Sequence, residues 1–347
     1  MHRLRLGCTR TAGARRLTTH WEGIAVTLPF KRLFRALCAA AGSALLALPA
    51  SAALYATGTG VGELSGLYTV DPLNGTPTLV WNFPGIHIYA GGLAYDNSTD
   101  SLFATGAADS STGTSRLFRI DRSTGAVTAL AGLSSFINLS SGGLAINPLT
   151  GVMYATGGFN DGLSAHQSTG LFTLDKTSGA ATLIGFAAGN CCSGDFGVML
   201  NGLGFRSDGT LFANGWALGG PSYPDPSDSH LYTVDLGSGA ANHIGATGVT
   251  LGRSLKYSGL AFAANGTLLS LGSLDAASGT LYSINPATGL ATALAGAGLP
   301  YGSGPIHFGE DGGLTFAPAA AVPEPRSWAL LLAGLLAVGS WVRRRAA

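Results

Sequence analysis

DGGLTFAP, residues 311–318, is half of a phrase. The whole phrase occurs four times earlier, as GGLAYDNSTDSLFATG (91–106), GGLAINPLTGVMYATG (142–157), NGLGFRSDGTLFANG (201–215) and SGLAFAANGTLLSLG (258–272). The missing second half stands at the other end of the chain, as LYATGTG at residues 54–60. A second phrase alternates with the first: GLYTVDPLNGTPTLV (66–80), RLFRIDRSTGAVTAL (116–130), GLFTLDKTSGAATLI (170–184), HLYTVDLGSGAANHI (230–244) and TLYSINPATGLATAL (280–294). Its leucines, Leu67, Leu117, Leu171, Leu231 and Leu281, are 50, 54, 60 and 50 residues apart. A period near 50 with two phrases per unit suits one four-stranded blade per repeat.

Each phrase reads as a hairpin. Apolar residues alternate with a period of two on either side of turn residues, the pattern of a half-buried strand. Asp71/Gly75, Asp121/Gly125, Asp175/Gly179 and Asp235/Gly239 recur at the turn of the second phrase, and the fifth copy carries Asn285. A carboxylate accepts bonds from turn amides, and glycine takes a positive φ without steric cost. Asparagine makes the same local bonds, so these acids read as scaffold and not as chemistry. Residues 311–318 supply one strand and residues from 54 onward supply three, which together complete a fifth blade. The expected fold is therefore all-β, a five-bladed β-propeller closed between its N- and C-terminal strands, which leaves no open sheet edge. An open solenoid or a pair of sandwiches would not explain why the split repeat complements itself. The repeats also resemble uncharacterised bacterial propeller repeats of the LYxIDxxTGxxTxIG type, a likeness of scaffold that implies no activity.

The chain has 347 residues, 46% of them apolar and 11% charged, with 53 glycines. Its net charge of +1 conceals a segregation: residues 1–52 hold eight Lys or Arg and one acid, and residues 321–347 hold four Arg and one acid. The body, 53–320, carries sixteen acids and seven bases, so its charge is 7 − 16 = −9. Clustered basic side chains are what nucleic-acid binding requires, and the body lacks them.

The ends read as addresses. Lys31, Arg32 and Arg35 precede an apolar run from Leu37 to Leu48 and then Ala50-Ser51-Ala52. That is the order of a secretory signal, with signal peptidase cleavage expected after Ala52 and Ala50 and Ala52 as its small-residue site. The run is short for a retained anchor helix. Residues 1–52 thus form a signal peptide with an atypically long leader, and Val26 or Leu28 are candidate true starts. At the other end Val322-Pro323-Glu324-Pro325 precedes an uncharged run, Trp328 to Val342, and then Arg343, Arg344 and Arg345. The arginines are expected on the cytoplasmic side of a transmembrane helix, with the body outside. The two prolines favour an extended segment that a protease can grip.

This tripartite ending resembles the PEP-CTERM sorting signal of Gram-negative bacteria. The resemblance covers only about the last 25 residues. It implies that residues 321–347 are cut by an exosortase, a membrane transpeptidase, after transient anchoring in the inner membrane. The protein is then expected at the cell surface or outside the cell, in an exopolysaccharide and biofilm setting. An ordinary C-terminal anchor is the plainer alternative.

The body offers little chemistry. No nucleophile elbow, zinc-protease helix, Walker loop, dinucleotide fingerprint or EF-hand loop occurs. His87, His166, His230, His243 and His307 show no ligand spacing. Asp161, Asp195, Asp208, Asp225 and Asp228 offer oxygens to Ca²⁺ without a spacing that specifies a site, so no cofactor or metal is expected. Cys191 and Cys192 would close a vicinal disulfide in an oxidising compartment or remain as two exposed thiols; the disulfide is the expectation. The stretches HQSTG, CCSGDFGVMLN and WALGGPSYPDPSDSH read as long connecting loops, the usual place for binding surfaces. The function expected is a non-enzymatic surface or matrix protein that binds a polysaccharide or an envelope protein. A secreted polysaccharide hydrolase or lyase, with acids converging on the axial face, is the alternative.

Overall fold

The computed structural model describes residues 52–59, 65–88, 92–107, 115–130, 137–139, 142–159, 169–187, 197–218, 229–249, 259–275, 278–294, 299–300 and 312–318. The unit Met1–Pro49 lies outside them. They form five antiparallel sheets and contain no helix. From the innermost strand outward, the first blade is Leu314–Pro318, Ala52–Thr59, Ser65–Val70 and Pro77–Phe83. The second is Leu93–Asp96, Ser101–Ala107, Ser115–Asp121 and Val127–Ala129. The third is Leu144–Ile146, Met153–Phe159, Gly170–Leu174 and Ala181–Phe186. The fourth runs Gly197–Phe205, Leu211–Leu218, His230–Val234 and Ala241–Ala246, and the fifth Leu260–Phe262, Leu268–Asp275, Ser278–Ile284 and Ala291–Ala293. Each innermost strand touches that of the next blade, and the fifth touches the first, so the ring is a closed five-bladed β-propeller.

The half phrase explains the closure. Leu314–Pro318 pairs antiparallel with Ala52–Thr59 in a register that sets Ala52 against Pro318 and Ala56 against Leu314. Two short strands not foreseen from the sequence, Ile137–Asn138 and Leu299–Pro300, add to the third and fifth blades. Two of the stretches read as loops are partly strand. Gly197–Asn201 begins the innermost strand of the fourth blade, and Trp216–Leu218 ends its second strand. Strand pairing across a register shift between Leu200 and Leu203 carries that hairpin beyond the repeat consensus.

Period-two alternation divides the apolar side chains among five cores, one at each blade interface. In the first blade Leu54 and Ala56 enter the core shared with the fifth blade, while Tyr55 enters the one shared with the second. In the second blade Leu93 turns to the first blade and Ala94 to the third. Among the described residues no blade has a core of its own, so each depends on both neighbours for burial.

The glycine before each innermost leucine has a steric cause. Around the axis the strands approach so closely that a Cβ on Gly143 would collide with the Asn201 carbonyl and the Leu203 amide of the next blade, and one on Gly313 would collide with the Leu93 amide. A buried polar side chain in each second strand then binds this inner backbone. Thr57, Thr105 and Thr156 accept the amides of Gly313, Gly92 and Gly143 at 2.8 Å each, and Asn214 accepts that of Gly202 at 2.6 Å. In the fifth blade Ser270 instead donates to the Gly259 carbonyl at 3.0 Å. These contacts are repeated because a buried unpaired amide costs about 1–3 kcal/mol.

Candidate functional site

The turns joining first to second and third to fourth strands lie on one face of the ring, as the meander requires. In the outer turns the glycine amide bonds back to the acid's carbonyl, at 2.7–2.8 Å from Gly75 to Asp71, Gly125 to Asp121, Gly179 to Asp175, Gly239 to Asp235 and Gly289 to Asn285. The side-chain oxygen takes a further amide two residues on, for instance Leu73 to Asp71 at 2.8 Å and Ala287 to Asn285 at 2.9 Å. The five glycines have φ between 71° and 81°. Asp and Asn thus perform the same structural task, and hydrogen bonds from serine, threonine and glycine groups of the turn hold Asp121, Asp175 and Asp235 below the usual carboxylate range.

Against this repeated background three repeat positions carry unusual charge in the second blade and its neighbours. Where the other units place Thr69, Thr173, Thr233 and Ser283, the second has Arg119. After the turn acid, where others have Pro72, Leu236 and Pro286, the second and third have Arg122 and Lys176. At the end of the innermost strand the second has Asp96, in line with Asn147, Arg206, Ala263 and Ala317. Two sites result.

The first site is the seam. Arg122, with a side chain 5% exposed, bonds the Pro318 carbonyl and the Asp100 carboxylate. Its guanidinium lies 4.9 Å from the Tyr95 ring centre and 5.8 Å from that of Tyr55, within cation–π range. The Tyr95 hydroxyl donates to Asp100 at 3.0 Å, and burial together with that bond pushes its pKa up. Asp100 has φ 50°, at the turn position where the third blade has Gly151 with φ 70°. These contacts make the seam a structural clasp.

The second site is a cleft of about 440 Å³ between the second and third blades. Cross-strand pairing sets Ala94, Phe103, Arg119 and Thr128 in one row and Asp96, Ser101 and Asp121 in the next, both facing the third blade. Ala94 and Phe103 belong to the core of that interface, so the row runs from apolar floor to polar rim. Lys176 reaches across from the third blade to Asp96 at 2.9 Å. Burial alone would raise the pKa of Asp96, but the bonds from Lys176 and Ser98 outweigh it and lower it. Arg119, exposed and lining the cleft, donates its Nε to Ser101 at 3.1 Å.

On the propeller axis lies a smaller cavity of about 150 Å³. Its wall is a layer of Leu93, Leu144, Leu203, Leu260 and Leu314 and, nearer the tight-turn face, a layer of Tyr95, Ile146, Phe205, Phe262 and Phe316. Its lining among the described residues holds no Asp, Glu or His.

Sequence reasoning passed over two features. His230 and His243 meet across the outer hairpin of the fourth blade, Nδ1 to Nε2 at 3.0 Å, and packing beside Tyr232 lowers the pKa of His243 by desolvation. Among the described residues no third ligand joins them. Arg119 was visible only as a departure from the repeat. Of the candidate acids, Asp208 is ion-paired with Arg206 at 2.6 Å, whose bond drives its pKa down. Asp161, Asp195, Asp225 and Asp228 lie outside the described residues, as do His166, His307, Ala50, Cys191, Cys192, Val322, Pro323, Glu324, Pro325, Arg343, Arg344 and Arg345. Ala52 opens the second strand of the first blade. Among the described residues no helix is long and apolar enough to cross a membrane.

No family model and no curated protein matches the chain. Among solved structures it is similar to TolB from Acinetobacter baumannii, at 14% identity and TM-score 0.41 over 75% of this chain and 53% of that one. It is similar to a periplasmic gluconolactonase from Pseudomonas aeruginosa, at 11% and 0.39 over 78% and 100%. A third is an engineered GH43 glycoside hydrolase, at 12% and 0.42 over 70% and 54%. The chain spans about half the length of TolB and of the glycoside hydrolase.

Proposed function

We propose that the protein is exported, sorted through residues 321–347 by an exosortase-type transpeptidase, and retained at the cell surface or in the matrix, where the propeller binds polysaccharide without degrading it. The observation that carries this reading is the pairing of Ala53 through Ala56 with Ala317 through Leu314. Cleavage after Ala52 gives up only the end pair of that register, Ala52 with Pro318, and cleavage beyond Ala320 gives up none of it, so both ends can be cut away without breaking a blade. Only Ala319 and Ala320 separate the last strand from that tail.

The alternative hydrolase or lyase requires acids around the axis, and the lining of the axial cavity holds no Asp, Glu or His among the described residues. The test is mass-spectrometric mapping of both mature termini from the native host with and without its exosortase. A C-terminus at Pro323 to Pro325 that is lost in the exosortase-free strain supports sorting. An intact Arg345 tail in both strains would reduce residues 321–347 to an anchor.

A further inference from the structure

Resting on the polysaccharide-binding reading, we infer that the cleft between the second and third blades is the sugar site, and that it takes a ring of a neutral polysaccharide. Its volume of about 440 Å³ falls within the range of about 300–1,000 Å³ usual for small-molecule sites. Ala126 and the half-buried Leu130 give it apolar lining above the buried Phe103, and its rim carries the exposed Arg119, the second carboxylate oxygen of Asp121 and the hydroxyls of Thr128 and Thr177. A donor fork beside a carboxylate acceptor matches a vicinal diol, in which each hydroxyl both gives and accepts a bond. An apolar floor matches the C–H face of a pyranose.

The fold does not demand these groups. Four of five units place Thr or Ser where the second places Arg119, and the units that lack Lys176 have proline, leucine or arginine there. Those four units form the same outer hairpin, so the hairpin does not require Arg119, and its bond to Ser101 uses only Nε. Arg122, the other cation of the same region, is committed to Asp100 and Pro318.

Charge selects the class of sugar. The cleft balances Asp96 and Asp121 against Arg119 and Lys176, and the body around it is strongly acidic, at −9 over residues 53–320. An acidic polysaccharide would be repelled on approach, and an uncharged one would not.

The test uses the full-length protein with cellohexaose, xylohexaose, hexagalacturonate and the host's own exopolysaccharide as probes, read by calorimetry and saturation-transfer NMR. Arg119→Thr restores the residue of the other units and is expected to fold, with an unchanged melting curve, while losing at least tenfold in affinity for a neutral probe. Thr128→Ala is expected to lose a smaller factor. Neutral binding that ignores both substitutions overturns the cleft and leaves the polysaccharide reading standing. Binding confined to hexagalacturonate and lost in Arg119→Thr overturns the neutral class. Binding of no probe at all overturns the polysaccharide reading and the cleft with it.

Discussion

The first and third blades contain the same inner hairpin, made in two ways. In the third, Leu144–Ile146 turns directly into Met153–Phe159 through Asn147–Gly151, held by the Gly151 amide on the Asn147 carbonyl at 2.8 Å. In the first, the corresponding strands come from opposite ends of the chain and no turn joins them. Arg122 stands where the turn would be, bonding the Pro318 carbonyl from the second blade. Lys176, its counterpart one blade on, reaches the equivalent corner of the second blade at Asp96. Side chains from the next blade thus brace both of these corners, and at the seam Arg122 does so where no turn joins the strands.

The harshest test of this equivalence is steric. Gly143→Ala and Gly313→Ala each drive a Cβ into the backbone of the next innermost strand, and each is expected to cost more than about 4 kcal/mol in denaturant unfolding. A harmless Gly313→Ala would mean that the seam is not part of the closed ring. Polar contacts come next. Thr57→Val and Thr156→Val strand a buried glycine amide, at about 1–3 kcal/mol each. Thr156→Val should cost more, because Thr156 also donates to the Asn201 carbonyl at 3.0 Å; equal losses would show that this second bond contributes nothing.

Arg122→Met is expected to cost about 2 kcal/mol, with faster amide exchange confined to 314–318 and 52–59. Lys176→Met should cost about 1 kcal/mol and leave exchange at the seam unchanged. It also carries a pH signature. The lowered pKa of Asp96 contributes stability that is present above the ordinary carboxylate range and lost as pH falls through the folded value. Without Lys176 the desolvation of Asp96 is less opposed and its folded pKa rises, so the melting temperature should be lower at neutral pH and fall less on acidification than in the native protein. An unchanged fall would show that Ser98 and Thr99 alone hold the carboxylate.

The smallest effect is expected from Asp235→Asn, which copies the fifth turn. Its melting temperature at pH 7 should match the native protein, and it should lose a little of the acid sensitivity that the lowered pKa of Asp235 confers. A large loss at neutral pH would break the equivalence of Asp235 and Asn285.

Most of the fold was legible because the chain repeats itself. Alternation located the strands, Asp-x-x-x-Gly located the outer turns, and the half phrase at 311–318 identified the seam. Strand ends were less legible: Gly197–Asn201 lacks turn chemistry and pairs only through an irregular register. The cleft was hidden because Asp96, Arg119 and Lys176 come from different phrases and meet only once two blades pack. The His230–His243 contact was hidden because it depends on a register shift between Leu231 and Tyr232. The C-terminal pattern that resembles a sorting signal lies outside the described residues.

The bond between Gly313 and Thr57 spans 256 residues, and that separation sets a clock. At a synthesis rate of about 5–20 residues per second, Thr57 waits about 13–50 s for its partner to be made. Throughout that interval the strand Ala52–Thr59 has an unpaired edge, the kind that recruits neighbouring chains. The first blade begun is therefore the last completed, and a cell making this protein must shield its earliest strand until the final one arrives.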